Sequence, residues 1–179
     1  MTCIFHYGEI LMNEQYEFFC GGPFSQWHRC NFQVGGIKFI SSKQYMMYNK
    51  AMLFNDIDTA KLILQASDPK VQKSLGRVIK SFSNQVWMDE ASSIVFRGQH
   101  AKFSQNRRLY DMLMSANPLL VEASQYDPLW GIGIDEATAR RMSANEWPGR
   151  NLLGIILSDL REHFIMEEEY NEGKIEEGV

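Results

Sequence analysis

The pattern of apolar and polar positions changes character near residue 40. The first forty residues are aromatic-rich and broken by glycine at Gly8, Gly21, Gly22, Gly35 and Gly36. Short runs at Cys3–Tyr7, Cys30–Val34 and Ile37–Ile40 read as strands, and Gly35-Gly36 between the last two signals a tight hairpin turn. Beyond them apolar residues recur at helical spacing. Ser41 or Ser42 caps a helix to about Phe54 that carries Tyr45, Tyr48 and Met52 on one face. Asp56 or Asp58 caps a second, which buries Ala60, Ile63 and Leu64. Asp68-Pro69 places a cap before a first-turn proline and opens a third helix. That helix continues through Val71, Leu75, Val78, Ile79 and Phe82, with an interruption at Gly76. Helices follow over about 86–102 and 106–116, the latter ended by Asn117-Pro118. Leu119–Ala123 is a short buried strand, Asp135 caps a helix to about Met142, and Asn151 caps a last one to about Phe164. The predicted fold is α+β: a helix-rich single domain with a small antiparallel sheet.

Composition narrows the class. With 179 residues, 45% hydrophobic and 22% charged, the chain is long enough to bury a sizeable core, which excludes a disordered polymer, a collagen-like repeat and a small disulfide scaffold. The net charge of -4 is unevenly distributed. Residues 166–179 hold six glutamates against one lysine, a charge of -5, so residues 1–165 carry +1. The expected organisation is therefore a body, 1–165, followed by an acidic tail, 166–179, that is flexible and glycine-containing. Three cysteines in no metal-ligand spacing, an opening segment unlike a signal peptide and no apolar stretch of membrane-spanning length predict a cytoplasmic protein with free thiols and no membrane association.

The generic chemical motifs are missing: no G-x-G-x-x-G, no Walker loop, no H-E-x-x-H and no C-x-x-C. No cofactor and no metal are called for. Four polar, aromatic or glycine-rich segments remain. In Gly21–Trp27, Gly22 lets backbone approach a ligand, while Phe24 and Trp27 can stack on a flat ring and Ser25 lies between them. Glu122 at a strand exit, then Asp127 in a loop with Trp130 and Gly131, is a candidate acid/base and stacking site. Lys102 and Asn106, followed by Arg107-Arg108, suit phosphate or ribose hydroxyls. Trp147–Gly154 places a helix N-terminus after Asn151, favourable for an anion. Each has a structural alternative: an aromatic-filled turn, a paired buried acid with a turn-forming aspartate, and simple helix caps at Asn106 and Asn151.

Taken together these segments resemble the NADAR, or YbiA-like, N-glycosidase family. The resemblance runs from about Phe18 to Phe164. It is carried by Phe24-Ser25-Gln26-Trp27, Ser41–Met47 with Lys50-Ala51, Leu75-Gly76-Arg77, Trp87, Lys102–Asn106, Leu120–Ser124, Asp127–Gly133 and Trp147–Gly154. It implies cleavage of an N-glycosidic bond in an ADP-ribose-like or phosphoribosyl compound. The substrate is then ADP-ribosylated guanine in a nucleotide or nucleic acid, or a phosphorylated riboflavin-pathway intermediate. The chemistry is consistent with that, because C1′–N cleavage builds positive charge on the ribose that a carboxylate stabilises. The resemblance implies that Asp127 is the functional aspartate and Trp87 a wall for the base. Arg77, Lys102, Asn106 and Asn151 are the expected phosphate and ribose contacts.

One departure stands out. Where the family typically has Ser-Ala-Glu-His, this chain has Ser41-Ser42-Lys43-Gln44, so Lys43 stands at a functional glutamate position. Three readings follow: a site inactivated to an ADP-ribose-binding module, an amine that attacks C1′ and forms a Schiff base, or a lysine that binds phosphate while Glu122 and Asp127 carry the chemistry. The near-neutral body and scattered basic pairs favour a compact pocket for one modified nucleotide over extended duplex contact. Oligomeric state is left open.

Overall fold

In the computed structural model of the chain, which describes residues 15–177, most helices begin where the sequence supplies a cap. Ser41 Oγ accepts from the Gln44 amide and opens α1 (Ser42–Leu53). Asp56 accepts from Thr59 and opens α2 (Ile57–Gln65). Asp68 accepts from Lys70, with Pro69 in the first turn of α3 (Pro69–Leu75). Ser83 caps α4 (Asn84–Ser104), which α5 (Arg107–Ser115) follows. Asp135 caps α6 (Glu136–Ala139), and α7 (Leu152–Glu177) is the last element. Four short strands, β1 (Tyr16–Phe19), β2 (Phe32–Val34), β3 (Ile37–Phe39) and β4 (Leu119–Glu122), and one 3-10 turn at Ala144–Glu146 complete the elements of the described residues. The α+β expectation holds; the strand expected at Cys3–Tyr7 lies outside the described residues.

The chain divides into two compact units, Gly21–Met112 and a discontinuous one formed by Met1–Cys20 with Leu113–Val179. In the first, β2 and β3 pair antiparallel, with Phe32 opposite Phe39, as the Gly35-Gly36 turn predicts. Both glycines have positive φ, 57° and 81°, which other residues adopt only with strain. Phe32, Phe39 and Tyr45 form a ring cluster. α1 and α4 approach closely at Gly98, where a Cβ would collide with the Tyr45 ring. A two-stranded ribbon leaves an unpaired edge, and here Gln105 covers it. Its side-chain amide accepts from Gln33 N–H and donates to Gln33 C=O, both at 2.8 Å, as a third strand would.

The second unit is built on β1 and β4, which pair parallel from Tyr16 opposite Leu119 to Phe19 opposite Glu122. This parallel pair is additional to the small antiparallel sheet expected, which β2 and β3 form. β1 has four residues and no clear apolar alternation, so its strand character comes from a partner about a hundred positions away. The free edge of β4 is again closed by side chains. Ser158 Oγ accepts from Leu120 N–H, Asn151 Oδ1 accepts from Glu122 N–H, and Asn151 Nδ2 donates to Leu120 C=O.

Three helix boundaries differ from expectation. α3 stops at Gly76, whose missing Cβ makes room for Met47 Sδ; Val78 and Phe82 are exposed beyond it. α6 is one turn long and does not reach Met142. α7 overruns the expected stop at Phe164 and continues to Glu177, since glutamates are good helix formers and no proline intervenes. His163 and Glu167, one turn apart on it, lie 3.3 Å apart. No helix among the described residues is long and apolar enough to cross a membrane.

Candidate active site

In the unit Gly21–Met112, the aromatic loop is tied down from below by a buried cation. Lys102 is fully buried on α4, and its Nζ donates to Pro23 C=O and Ser25 C=O. Ser25 N–H closes a turn onto Gly22 C=O, Ser25 Oγ accepts from Trp27 N–H, and Phe24 stacks on Phe103 at 6.4 Å. Burial lowers the Lys102 ammonium to about 8, slightly opposed by the neighbouring Cys30. The same burial raises the Cys30 thiol and, with the Lys102 charge, lowers His28. Lys102, expected at a phosphate, is thus an anchor for the loop.

The folded protein binds the Lys102 proton less tightly than the unfolded chain does. Its contribution to stability therefore rises with pH from about 8 up to the ordinary lysine range near 10.5. Lys102→Met removes this gain, so the wild type's stability advantage over the variant is expected to widen between pH 8 and 10. Urea unfolding at several pH values measures it; a constant difference contradicts the assignment.

Lys43, at the first turn of α1, is 5% exposed. Its backbone N–H donates to Gln26 C=O at 2.9 Å and its Nζ to Gln26 Oε1 at 3.1 Å. The ammonium also lies 5.6 Å from the Trp27 ring centroid and 3.8 Å from Met46 Sδ. Next to it, Gln44 is structural: it accepts from Ile40 N–H and donates to carbonyls at the end of α2. Trp87 is buried, with Lys50 Nζ 5.4 Å from its ring; that ammonium also donates to Gly76 C=O, and burial lowers its pKa. Trp27, at 37% exposure, is the more open indole of the two. Arg77 is exposed in the turn after α3, and Asn106 Nδ2 bridges Asn31 C=O and Lys102 C=O.

In the other unit, residues 127–133 and 149–153 zip together through backbone bonds. Gly149 donates to Ile132, Arg150 to Pro128, Asn151 to Gly131, Leu152 to Leu129 and Leu153 to Trp130. Gly131 and Gly149 permit this approach: a Cβ on Gly131 would lie 2.6 Å from Glu122 O, and one on Gly149 would strike Gly131 O. The arrangement corrects two expectations. The amides leading into α7 already have partners, so they do not form a vacant anion site. Asn151 directly precedes α7 and its C=O accepts from Ile155 N–H, but its side chain is spent as the clamp on β4 rather than on the helix end, and its φ is 51°.

Asp127 opens the same loop. Its Oδ1 accepts from Leu129 N–H at 3.2 Å and Trp130 N–H at 3.0 Å, the bonding of a turn former. Its Oδ2 accepts no hydrogen bond among the described residues, so the carboxylate of this half-buried residue is held through Oδ1 alone. The Glu122 side chain is buried, and Trp130 is buried within the loop. The structure thus gathers Gly22, Phe24, Ser25, Trp27, Lys43 and Lys102 in one unit, and Glu122, Asp127, Trp130, Gly131 and Asn151 in the other. Gln26 was missed as a contributor although it lies inside a quoted segment; only the fold shows its amide on Lys43.

The NADAR domain model matches residues 17–165. The chain belongs to the NADAR family. An N-glycosidase of Acanthamoeba polyphaga mimivirus is 39% identical over 166 residues, covering 85% of this chain and 98% of that protein. N-glycosidase YbiA of Escherichia coli is 27% identical over 82% of this chain and 83% of its own. The NMR structure of Escherichia coli YbiA superposes with a TM-score of 0.70 at 26% identity, covering 86% of both chains. A riboflavin biosynthesis protein of Vibrio vulnificus is 28% identical over 84% of this chain and 37% of its own length. The NADAR match spans both compact units, so the Lys43 segment and the Asp127 loop belong to one family domain.

Proposed function

We propose that the protein is an N-glycosidase that cleaves a ribosyl C1′–N bond and removes ADP-ribose from ADP-ribosylated guanine, in a nucleotide or nucleic acid. The observation that carries the reading is Asp127, whose Oδ1 is spent on its own loop while Oδ2 is left to meet charge outside it. As the C1′–N bond lengthens, its electron pair leaves with the base and positive charge grows on the ribose. A fixed carboxylate lowers that barrier and orients the water that attacks C1′. Glu122 is the second candidate carboxylate of the unit that holds Asp127, and Trp87, in the other unit, takes the role of a wall for the base that the family resemblance implies. Lys43 binds phosphate in place of the family's glutamate. The relatives named N-glycosidase support the reaction class.

The relative named for riboflavin biosynthesis favours a second substrate, a phosphorylated riboflavin-pathway intermediate. Incubation of the purified protein with ADP-ribosylated guanosine and with the riboflavin intermediates, followed by chromatography of the products, separates the two. Release of guanosine and ADP-ribose is expected. Tight ADP-ribose binding without turnover of either compound leaves a binding module and overturns the enzyme reading. Lys43→Glu and Lys43→Ala then sort the lysine: a gain with glutamate marks it as inhibitory, and a loss with alanine marks a direct role.

A further inference from the structure

We propose that the exposed face of α3 and the acidic end of α7 form a docking pair between two copies of this chain, the groove of one copy receiving the helix of the other. The inference concerns assembly and stands apart from the reaction proposed above.

The groove lies along α3. Lys70, Val71, Ser74, Leu75 and Val78 line a shallow cleft of about 360 Å³. Bonds from Arg77 N–H to Ser74 C=O and from Val78 N–H to Leu75 C=O carry the turning of the helix past its end. Val71, Leu75 and Val78 therefore make a stripe at i, i+4 and i+7, and the two valines are 47% and 67% exposed. The Ser74 hydroxyl is turned back onto Lys70 C=O at 3.0 Å, so the groove presents mainly carbon. Its setting is basic. From Pro69 to Met88 the chain holds Lys70, Lys73, Arg77 and Lys80 and no carboxylate. Lys70 and Lys73 enter no ion pair among the described residues.

The complementary surface is carried by the chain itself. On α7, Met166 and Tyr170 are 65% and 63% exposed, one turn apart, and Gly173 follows on the same face, again at i, i+4 and i+7. A Cβ on Gly173 would meet nothing within 4 Å, and its absence lets another helix come close. Glu167, Glu168, Glu169 and Glu172 flank this stripe, with no cation between Met166 and Gly173. The two stripes thus share a spacing and carry opposite charge at their flanks. An amphipathic helix laid in an apolar groove is a recurrent mode of recognition, and charge selects the occupant: a basic groove attracts an acidic helix and repels a basic one. The contact joins unlike surfaces, so two copies that exchange their α7 ends make it twice and close as a dimer.

Sedimentation velocity of the full chain tests it. A dimer is expected to form below about 200 µM in about 50 mM salt, and to bind about tenfold more weakly in about 500 mM salt. Val78→Glu and Tyr170→Ser, both at exposed positions, are each expected to give a monomer with an unchanged circular dichroism spectrum. The double variants Lys70→Glu with Lys73→Glu, and Glu169→Lys with Glu172→Lys, are each expected to be monomeric alone and to pair when mixed. Mixing restores opposite charge at both contacts, which docking within one chain would not do. The proposal is overturned by a wild type that stays monomeric, which leaves the groove to a different acidic helix. It is equally overturned by association that Val78→Glu and Tyr170→Ser leave intact, or by double variants that fail to pair.

Discussion

Asp127→Asn is expected to lower kcat by about a thousandfold while leaving the melting temperature nearly unchanged. The two effects separate because the two oxygens have separate work. Asparagine keeps a side-chain oxygen where Oδ1 accepts from Leu129 and Trp130, so the loop stays closed. What it removes is the negative charge, and with it the stabilisation of a positive ribose in the transition state. Asp127→Ala removes both, and is expected to lose activity and also about 1 kcal/mol of stability, the typical worth of a cap or turn bond. Single-turnover rates on ADP-ribosylated guanosine, beside thermal unfolding of each variant, measure the pair. Wild-type kcat in Asp127→Asn means that Asp127 is a turn former and nothing more.

Asn151→Ala is expected to cause the largest loss of stability, about 3–5 kcal/mol. Two buried backbone groups, Leu120 C=O and Glu122 N–H, lose the side chain that pairs them, at 3.0 and 2.9 Å. Alanine must also hold the left-handed backbone that asparagine adopts here with φ 51°. For a domain of this size the melting temperature falls by about 10 °C. Asn151→Gly relieves the backbone part alone and is expected to recover about 1 kcal/mol. Circular dichroism melts of the three proteins decide it: a shift under 2 °C in Asn151→Ala contradicts the clamp. Because the same amide fixes the Glu122 backbone, activity is expected to fall with stability.

Local chemistry made much of this protein readable. The caps at Ser41, Asp56, Asp68 and Asp135, the proline at position 69 and the glycine pair at 35 and 36 act within a few residues of themselves. Their elements begin where the spacing predicts. The segments that carry the family resemblance were legible for the same reason, as residue types at fixed short distances. Less visible was anything that depends on a distant partner. Tyr16–Phe19 is a strand because Leu119–Glu122 lies beside it. Met142 falls outside its predicted helix, and α7 runs past Phe164, because nothing local marks those ends strongly.

The candidate residues divide along the same line. That Asp127 sits in a glycine- and tryptophan-rich loop is a property of the sequence by itself, as are the lysine at position 43 and the near-neutral body beside an acidic tail. Which polar groups are spent on the fold is decided only in three dimensions. Lys102 is consumed by the carbonyls of Pro23 and Ser25, Asn151 by β4, and the amides before α7 by a neighbouring loop. Lys73 joins Trp27 through the fold, across forty-six positions of chain. The physical reason is that a hydrogen-bonding group has few bonds to give. Sequence shows what a side chain is able to donate or accept, and tertiary structure settles which of those bonds are already made.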